Sequence, residues 1–512
     1  MKKFYLTTPL YYVNAAPHIG HAYTTLAADI LARYKRQKEC AVHLLTGTDE
    51  HGSKIEQAAK EAGKTPKQYA DEVSAQFKDL WKHLDIQFDD FIRTTDERHE
   101  ARVQAVFARL REKGDIYKGT YKGFYCVSDE SFWTETEAPP DEKGRRLCPN
   151  PECRRPLQAA EEESYFFKLS SYQAPLLAHY KAHPEFLQPP HRAAEMVRFV
   201  EEGLRDLAVS RTKVTWGVPV PGDPGHVVYV WFDALLNYLT ATGWLPEGAT
   251  APGPDEYEAL WPADVHLVGK EIFRFHTVIW PAMLMALGLP LPKSVFAHGW
   301  WTADGAKMSK SKDNFVDPRD ITREFGVDAF RYFLFREMPF GNDGDFSREA
   351  LLKRYNSELA NDLGNLVSRV TNMVDKYISG ETPGKPDSEK PSVVKEMLEK
   401  SPQVDAAMER LALQEALNVI WTGVRRLNEK VDKEKPWEMA RTNPEGLRVL
   451  LHELVISLRI VAGWLAPFMP QTAAKMQANL GVRAFPGPQT PEEVLAGPGS
   501  RILKGPPLFP RK

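Results

Sequence analysis

The residues best suited to chemistry lie in two short runs, Pro17-His18-Ile19-Gly20-His21 near the start and Lys307-Met308-Ser309-Lys310-Ser311-Lys312 well past the middle. The first follows an apolar, β-favouring stretch, Phe4-Tyr5-Leu6-Thr7-Thr8, and precedes a helical pattern over residues 22 to about 36. That order is strand, loop, helix. A helix N-terminus presents unpaired N–H groups and the positive end of the helix dipole, so it offers a seat for phosphate. Gly20 lets backbone approach a ligand closely, and two histidines three residues apart can donate to phosphate oxygens as charge grows on them. The plainer alternative is that they cap the helix. The second run sets three lysines within six residues after Asp304-Gly305. Such a loop either clamps a polyphosphate or forms a solvated face.

The elements that must position these runs alternate. Over the first ~115 residues, apolar strand-like segments and helical patterns follow one another, as in an α/β fold with a parallel sheet covered by helices. A second strand, Val42-His43-Leu44-Leu45-Thr46, ends in Gly47-Thr48-Asp49-Glu50-His51-Gly52. Ligands bind beyond the carboxyl ends of such strands, where strand order reverses, so Asp49 and His51 are expected to face the crevice of His18 and His21. Asp49 as the N-cap of the next helix is the alternative. No G-x-G-x-x-G follows the first strand, which disfavours a nicotinamide or flavin enzyme. The strand pattern resumes at Val227-Val228-Tyr229-Val230, at Val265-His266-Leu267-Val268 leading into Gly269-Lys270-Glu271, and at Ser294-Val295-Phe296-Ala297-His298 leading into Gly299-Trp300-Trp301.

Between the two halves, residues 115–210 read as an inserted module. It carries Cys126-Val127-Ser128-Asp129 and Cys148-Pro149-Asn150-Pro151-Glu152-Cys153, a candidate zinc knuckle with Cys126, Asp129, Cys148 and Cys153 as ligands. Beyond residue 356 strands give way to long helical periodicity, expected over 357–377, 394–413, 416–431 and 447–465. The tail from Phe485, rich in proline and glycine, is expected to lie over the surface. The chain thus divides into 1–114 and 211–300 for the two halves of the sheet domain, 115–210 for the insert, 301–355 for the lysine loop and its surroundings, and 356–512 for the helical domain and tail.

Composition narrows the class without choosing a partner. With 43% hydrophobic and 26% charged residues the chain is an ordinary globular protein, and a net charge of −3 leaves nucleic-acid binding to local patches. Four cysteines in 512 residues argue against a disulfide framework. The apolar segment 447–465 carries His452, Glu453 and Arg459, so it reads as a bundle helix and not a membrane span. No secretory signal is legible after Met1-Lys2-Lys3. A cytoplasmic protein is expected.

Taken together, Pro17-His18-Ile19-Gly20-His21 and Lys307-Met308-Ser309-Lys310-Ser311 resemble the two signatures of class I aminoacyl-tRNA synthetases. More specifically the chain resembles the bacterial methionyl-tRNA synthetases over essentially its full length, in Thr8-Pro9-Leu10-Tyr11-Tyr12-Val13-Asn14, Gly47-Thr48-Asp49-Glu50-His51-Gly52, Tyr229-Val230-Trp231-Phe232-Asp233-Ala234 and Asn361-Asp362-Leu363-Gly364-Asn365-Leu366-Val367. The resemblance implies a Rossmann-like catalytic domain, a connective-peptide insert and an α-helical anticodon-binding domain. It implies a methionine pocket walled by Leu10, Tyr12, Trp231, Ala234, Leu235, Tyr238, Ile272 and His276, with Asp49 on the substrate ammonium. His18, Gly20, His21, Lys307, Ser309 and Lys310 would bind ATP with Mg²⁺, His18, His21, Lys307 and Lys310 serving catalysis. Asn365, Arg369 and Trp437 would read the anticodon of initiator and elongator tRNA(Met). Glu271 stands where several relatives have Asp. Many relatives carry a further C-terminal tRNA-binding barrel that dimerises them; this chain shows none, and a monomer is expected. Two other readings compete, a small-molecule nucleotidyltransferase of the same superfamily and a degenerate paralogue that only binds RNA. The first needs no anticodon reader, and the second predicts decayed phosphate motifs.

Overall fold

The computed structural model describes residues 2–128, 131–150, 153–303, 306–307, 316–381, 392–482 and 501–512. Its centre is a six-stranded parallel sheet in the spatial order Asp90–Arg93 (β3), Ala41–Asp49 (β2), Lys3–Tyr12 (β1), Val265–Gly269, Val295–His298 and Leu187–Gln188. The central strands are buried on both faces, which explains their nearly continuous apolar runs. From β1 the chain moves outward on one side through β2 and β3, then returns to build the other side from Val265–Gly269. The reversal places a crevice beyond the carboxyl end of β1. Pro9, which has no N–H to donate, lies inside β1, and the register with β2 shifts between Thr7 and Leu10. Leu10 and Tyr12, two residues apart, therefore emerge on one face at the strand's end.

Helix α1 (Ile19–Gln37) starts at the crevice and ends on the helical domain. Its small residues, among them Ala22, Ala27, Ala28 and Ala32, are fully buried and let it pack closely on both sides. At its far end Tyr34 donates to Asp405 at 3.2 Å, Lys35 pairs with Glu409 at 2.5 Å and Lys38 with Asp405 at 2.8 Å. Midway, buried Asp29 accepts from Arg331 at 2.6 Å, and the same guanidinium reaches the carbonyls of Leu84, Pro467 and Phe468. Burial opposes the charge on Asp29, but Arg331 and Arg33 overcome it and hold the carboxyl below the usual range. One helix thus ties the sheet to the helical domain.

The insert folds as a four-stranded antiparallel sheet, in the order Ser131–Trp133, Ile116–Cys126, Gln158–Phe167 and Leu207–Ala208, with an unbroken ladder from Ile116↔Phe167 to Tyr125↔Gln158. Leu187–Gln188, which the sequence places inside the insert, pairs with Val295–His298 and forms the edge of the main sheet. The helical domain has Tyr355–Gly364 in π form running into Asn365–Ile378, then Val393–Glu409, Leu413–Glu434, Pro436–Thr442, Pro444–Leu465 and Pro470–Asn479. Of the tail from Phe485, residues 485–500 lie outside the described residues, and the stretch 501–512 is partly buried. Ile502 and Phe509 are buried, Phe509 against Tyr355, and Asn356 bonds the backbone of Lys512 in both directions at 2.9 and 3.0 Å. Those two apolar side chains anchor what composition alone reads as surface chain. Among the described residues no helix is long and apolar enough to cross a membrane.

Candidate active site

The ends of the parallel strands meet around one cavity of about 280 Å³. One side of it is the start of α1. His18 is the helix N-cap: its Nδ1 accepts from the Gly20 N–H at 3.0 Å, while His21 Nδ1 accepts from the His18 N–H at 3.2 Å. These histidines cap the helix, as the plainer reading expects, and they also line the cavity. The caps also fix the tautomers. With each Nδ1 accepting from backbone, the ring proton sits on Nε2, the atom that can donate to a ligand. A Cβ on Gly20 would come within 2.8 Å of the His18 ring, so glycine is required for the reciprocal cap.

The opposite side is an apolar, aromatic pocket. Leu10 and Tyr12 from β1 face Trp231, Ala234 and Leu235 from the helix Val230–Leu235, with Tyr238, Ile272 and His276 closing it. Trp231 stacks on Phe275 at 3.8 Å between ring centroids and stands edge-on to Tyr12 at 6.5 Å. His276 Nδ1 lies 3.0 Å from the Ile272 carbonyl, which can only accept, so Nδ1 carries the proton and Nε2 accepts from the Tyr238 hydroxyl at 2.7 Å. Burial pushes the His276 pKa down to about 4 against the favourable carbonyl contact. The pocket end is thus neutral, with the protons of both rings already donated.

Asp49, the last residue of β2 and 3% exposed, lies between the two sides. It is not a helix cap: the helix Ser53–Glu61 is capped by Gly52. His51 differs from expectation. It does not line the cavity but turns into the protein, its Nδ1 donating to Asp233 Oδ2 at 2.7 Å. Desolvation disfavours its charge, yet the adjacent carboxylate prevails and raises the pKa to about 10; Asp233 is correspondingly lowered, despite burial, by His51. Glu271, whose contact the sequence left open, lines the cavity and accepts from Trp300 Nε1 at 2.6 Å.

Sequence reasoning missed several supporting groups. His298 reaches Thr24 Oγ1 on α1 at 2.7 Å through Nε2. The Lys54 ammonium sits 4.8 Å from the Tyr12 ring centre and donates to the Ser128 carbonyl at 2.7 Å, linking pocket and insert. Nothing in the sequence pairs these positions, because each contact joins separate elements. Lys307 ends the strand Ala306–Lys307, which pairs with Trp301–Ala303 beside the cavity wall. Ser309 and Lys310 lie outside the described residues, as does Asp129.

In the insert, the sulfurs of Cys126, Cys148 and Cys153 lie within 4.8 Å of one another, with Cys126 and Cys153 3.5 Å apart. That is far too long for a disulfide and close to the ~3.8 Å between two thiolates on a tetrahedral zinc with Zn–S of ~2.3 Å. On the helical domain, exposed Asn365 and half-buried Arg369 share a helix face, Arg369 pairs with Asp432 at 2.7 Å, and Trp437 is 46% exposed.

A capped helix start and an aromatic-lined cavity at the strand ends of one doubly wound sheet frame the site, and comparison with known proteins gives its class. The family described as tRNA synthetases class I (M) matches residues 4–371. The chain belongs to the class I aminoacyl-tRNA synthetases.

Within that class, methionine–tRNA ligases are among its relatives. A methionine–tRNA ligase of Caldanaerobacter subterraneus subsp. tengcongensis is 50% identical over 100% of this chain and 79% of its own length, and one of Thermotoga maritima is 47% identical over 99% and 80%. The structure of Mycobacterium tuberculosis methionyl-tRNA synthetase with methionyl-adenylate superimposes with a TM-score of 0.92 at 40% identity, covering 100% of both chains. The chain is a member of the methionyl-tRNA synthetase family.

Proposed function

We propose that this chain is a methionine–tRNA ligase, activating L-methionine with ATP to methionyl-adenylate and transferring the methionyl group to the 3′-terminal adenosine of tRNA(Met), initiator and elongator. The observation that carries the reading is the single cavity joining a capped helix N-terminus to a neutral aromatic pocket across Asp49. Asp49 takes the substrate ammonium. The thioether enters between Leu10, Tyr12, Trp231, Ala234, Leu235, Tyr238, Ile272 and His276, where sulfur finds ring edges. The largely apolar walls disfavour polar side chains by the cost of burying them.

Activation then needs positioning and charge stabilisation, with no side-chain nucleophile. A substrate carboxylate oxygen attacks the α-phosphorus, the bond to the bridging oxygen breaks, and pyrophosphate leaves. His18 and His21 donate from Nε2 to phosphate oxygens whose charge rises, beside the backbone N–H of Gly20, and Lys307, Ser309 and Lys310 close on the polyphosphate. The Mg²⁺ that accompanies ATP as part of the substrate would supply positive charge to the pyrophosphate. Asn365, Arg369 and Trp437 receive the anticodon, Trp437 as a stacking surface for an unpaired base. Cys126, Cys148 and Cys153, with Asp129 from outside the described residues as the proposed fourth ligand, would hold a structural zinc, which would tie the insert together. The protein works in the cytoplasm.

ATP–pyrophosphate exchange with each standard amino acid tests the assignment: exchange dependent on methionine is expected, and exchange with none would leave the nucleotidyltransferase and RNA-binding readings. Elemental analysis tests the metal, with one zinc per chain expected and loss of it in Cys148→Ser.

A further inference from the structure

Behind the pocket, one carboxylate joins the loop that carries Asp49 to the helix that carries Trp231 and Ala234. Asp233 is fully buried; its Oδ2 accepts from His51 Nδ1 at 2.7 Å and its Oδ1 from His99 Nε2 at 2.8 Å. His51 follows the end of β2 by two residues. Asp233 lies between two pocket residues on Val230–Leu235, and His99 belongs to Glu97–Glu112, where its Nδ1 meets Thr240 Oγ1 at 3.0 Å. None of the three lines the cavity. The same loop is held from its other sides. Trp216 Nε1 donates to the Glu50 carbonyl at 2.5 Å and the Gly52 N–H to the Trp216 carbonyl at 3.0 Å, while the Glu50 carboxylate takes Arg93 at 2.6 and 2.8 Å.

A buried charge pair is a weak source of stability, because desolvation consumes much of the attraction. What such a pair supplies is directional geometry, here between the two surfaces that grip opposite ends of one small substrate. We infer that Asp233 and His51 are positioning residues for the amino acid: they fix the Asp49 carboxylate at the distance from the Trp231–Ala234 wall that lets one ligand satisfy ammonium and thioether together. The inference rests on the proposed role of Asp49.

The test compares L-methionine with 4-(methylsulfanyl)butanoate, which keeps the thioether and carboxylate and lacks the ammonium. The methionine KM and the butanoate inhibition constant are measured in pyrophosphate exchange for Asp233→Asn, His51→Gln, Asp49→Asn and the double variant Asp49→Asn/Asp233→Asn. The ratio of the two constants does not depend on the fraction folded. In Asp233→Asn and His51→Gln the methionine KM should rise about tenfold or more, with kcat and the butanoate constant within about threefold, the signature of lost ground-state binding at one group. The double variant should be no less selective than Asp49→Asn alone, since a residue acting through another is not additive with it. Equal losses for both ligands, an unchanged methionine KM, or additive losses in the double variant overturn the positioning role while Asp49→Asn still discriminates. If Asp49→Asn loses both ligands alike, the ammonium reading falls and the inference falls with it.

Discussion

The pocket proposed for methionine and the face of the helical domain proposed for the anticodon are built in opposite ways. In the pocket, Tyr238, His276 and Asp49 are almost wholly buried, and the donors of Tyr238 and His276 are fixed by neighbours before any ligand arrives. On the helical domain Trp437 leaves nearly half its surface open and Arg369 pairs with the exposed carboxylate of Asp432. The difference follows from ligand size. A small amino acid supplies little surface, so the protein must hold the geometry; a folded RNA brings its own stacked bases and phosphates, so an open face suffices.

The strongest way to break this comparison is at the phosphate end of the cavity. His21→Ala or Lys310→Ala should lower the activation rate roughly 10²–10³-fold with little change in methionine affinity, as for donors used mainly in the transition state. Pre-steady-state adenylate formation measures it. A pure rise in the methionine constant would place these groups in ground-state binding instead.

Next in size is the discrimination set by the rigid pocket. Apolar contacts reject an analogue differing by one methylene only by about 10–200-fold. Norleucine and homocysteine should therefore both support measurable pyrophosphate exchange. The homocysteine thiol can then attack its own adenylate and leave as the cyclic thiolactone, with AMP released, a route needing no second site. Stable homocysteinyl-tRNA deacylated away from the His18 crevice would give the insert an editing role.

The open face should respond separately. Trp437→Ala is expected to lose about 1–3 kcal/mol of base stacking, weakening tRNA charging while methionine-dependent exchange stays nearly intact. A parallel fall in both activities would make Trp437 a packing residue, which its 46% exposure argues against.

The smallest effect concerns pH. The His51 pKa is raised from 6.5 to about 10 in the folded chain, so the charged form favours folding. That stabilisation is fully present below about 6.5 and is lost as pH rises through about 10. The difference in unfolding midpoint between the parent chain and His51→Gln should shrink by about 2–4 °C from the acid to the alkaline end of that window. A constant difference would mean that His51 is neutral in the fold.

The chain alone disclosed the strand–loop–helix at His18, the alternation that builds the parallel sheet, the helical character beyond residue 356 and, through its motifs, the family. These depend on local periodicity, turn chemistry and short runs of residues, which survive as pattern in a linear text. The family resemblance also grouped Leu10, Tyr12, Asp49, Trp231 and His276, and the folded chain lines one cavity with them at the strand ends. What only the folded chain decided was orientation across elements. His51 and Asp49, two residues apart on one loop, go opposite ways, one to the core and one to the cavity. Leu187–Gln188 joins a sheet whose other strands lie far from it in sequence, and Ile502 and Phe509 find an apolar seat that composition does not announce. Lys54 meets Tyr12 and Ser128 only because three separate elements pack together. Such contacts are set by the close packing of distant side chains, each worth little alone and none written in the local pattern.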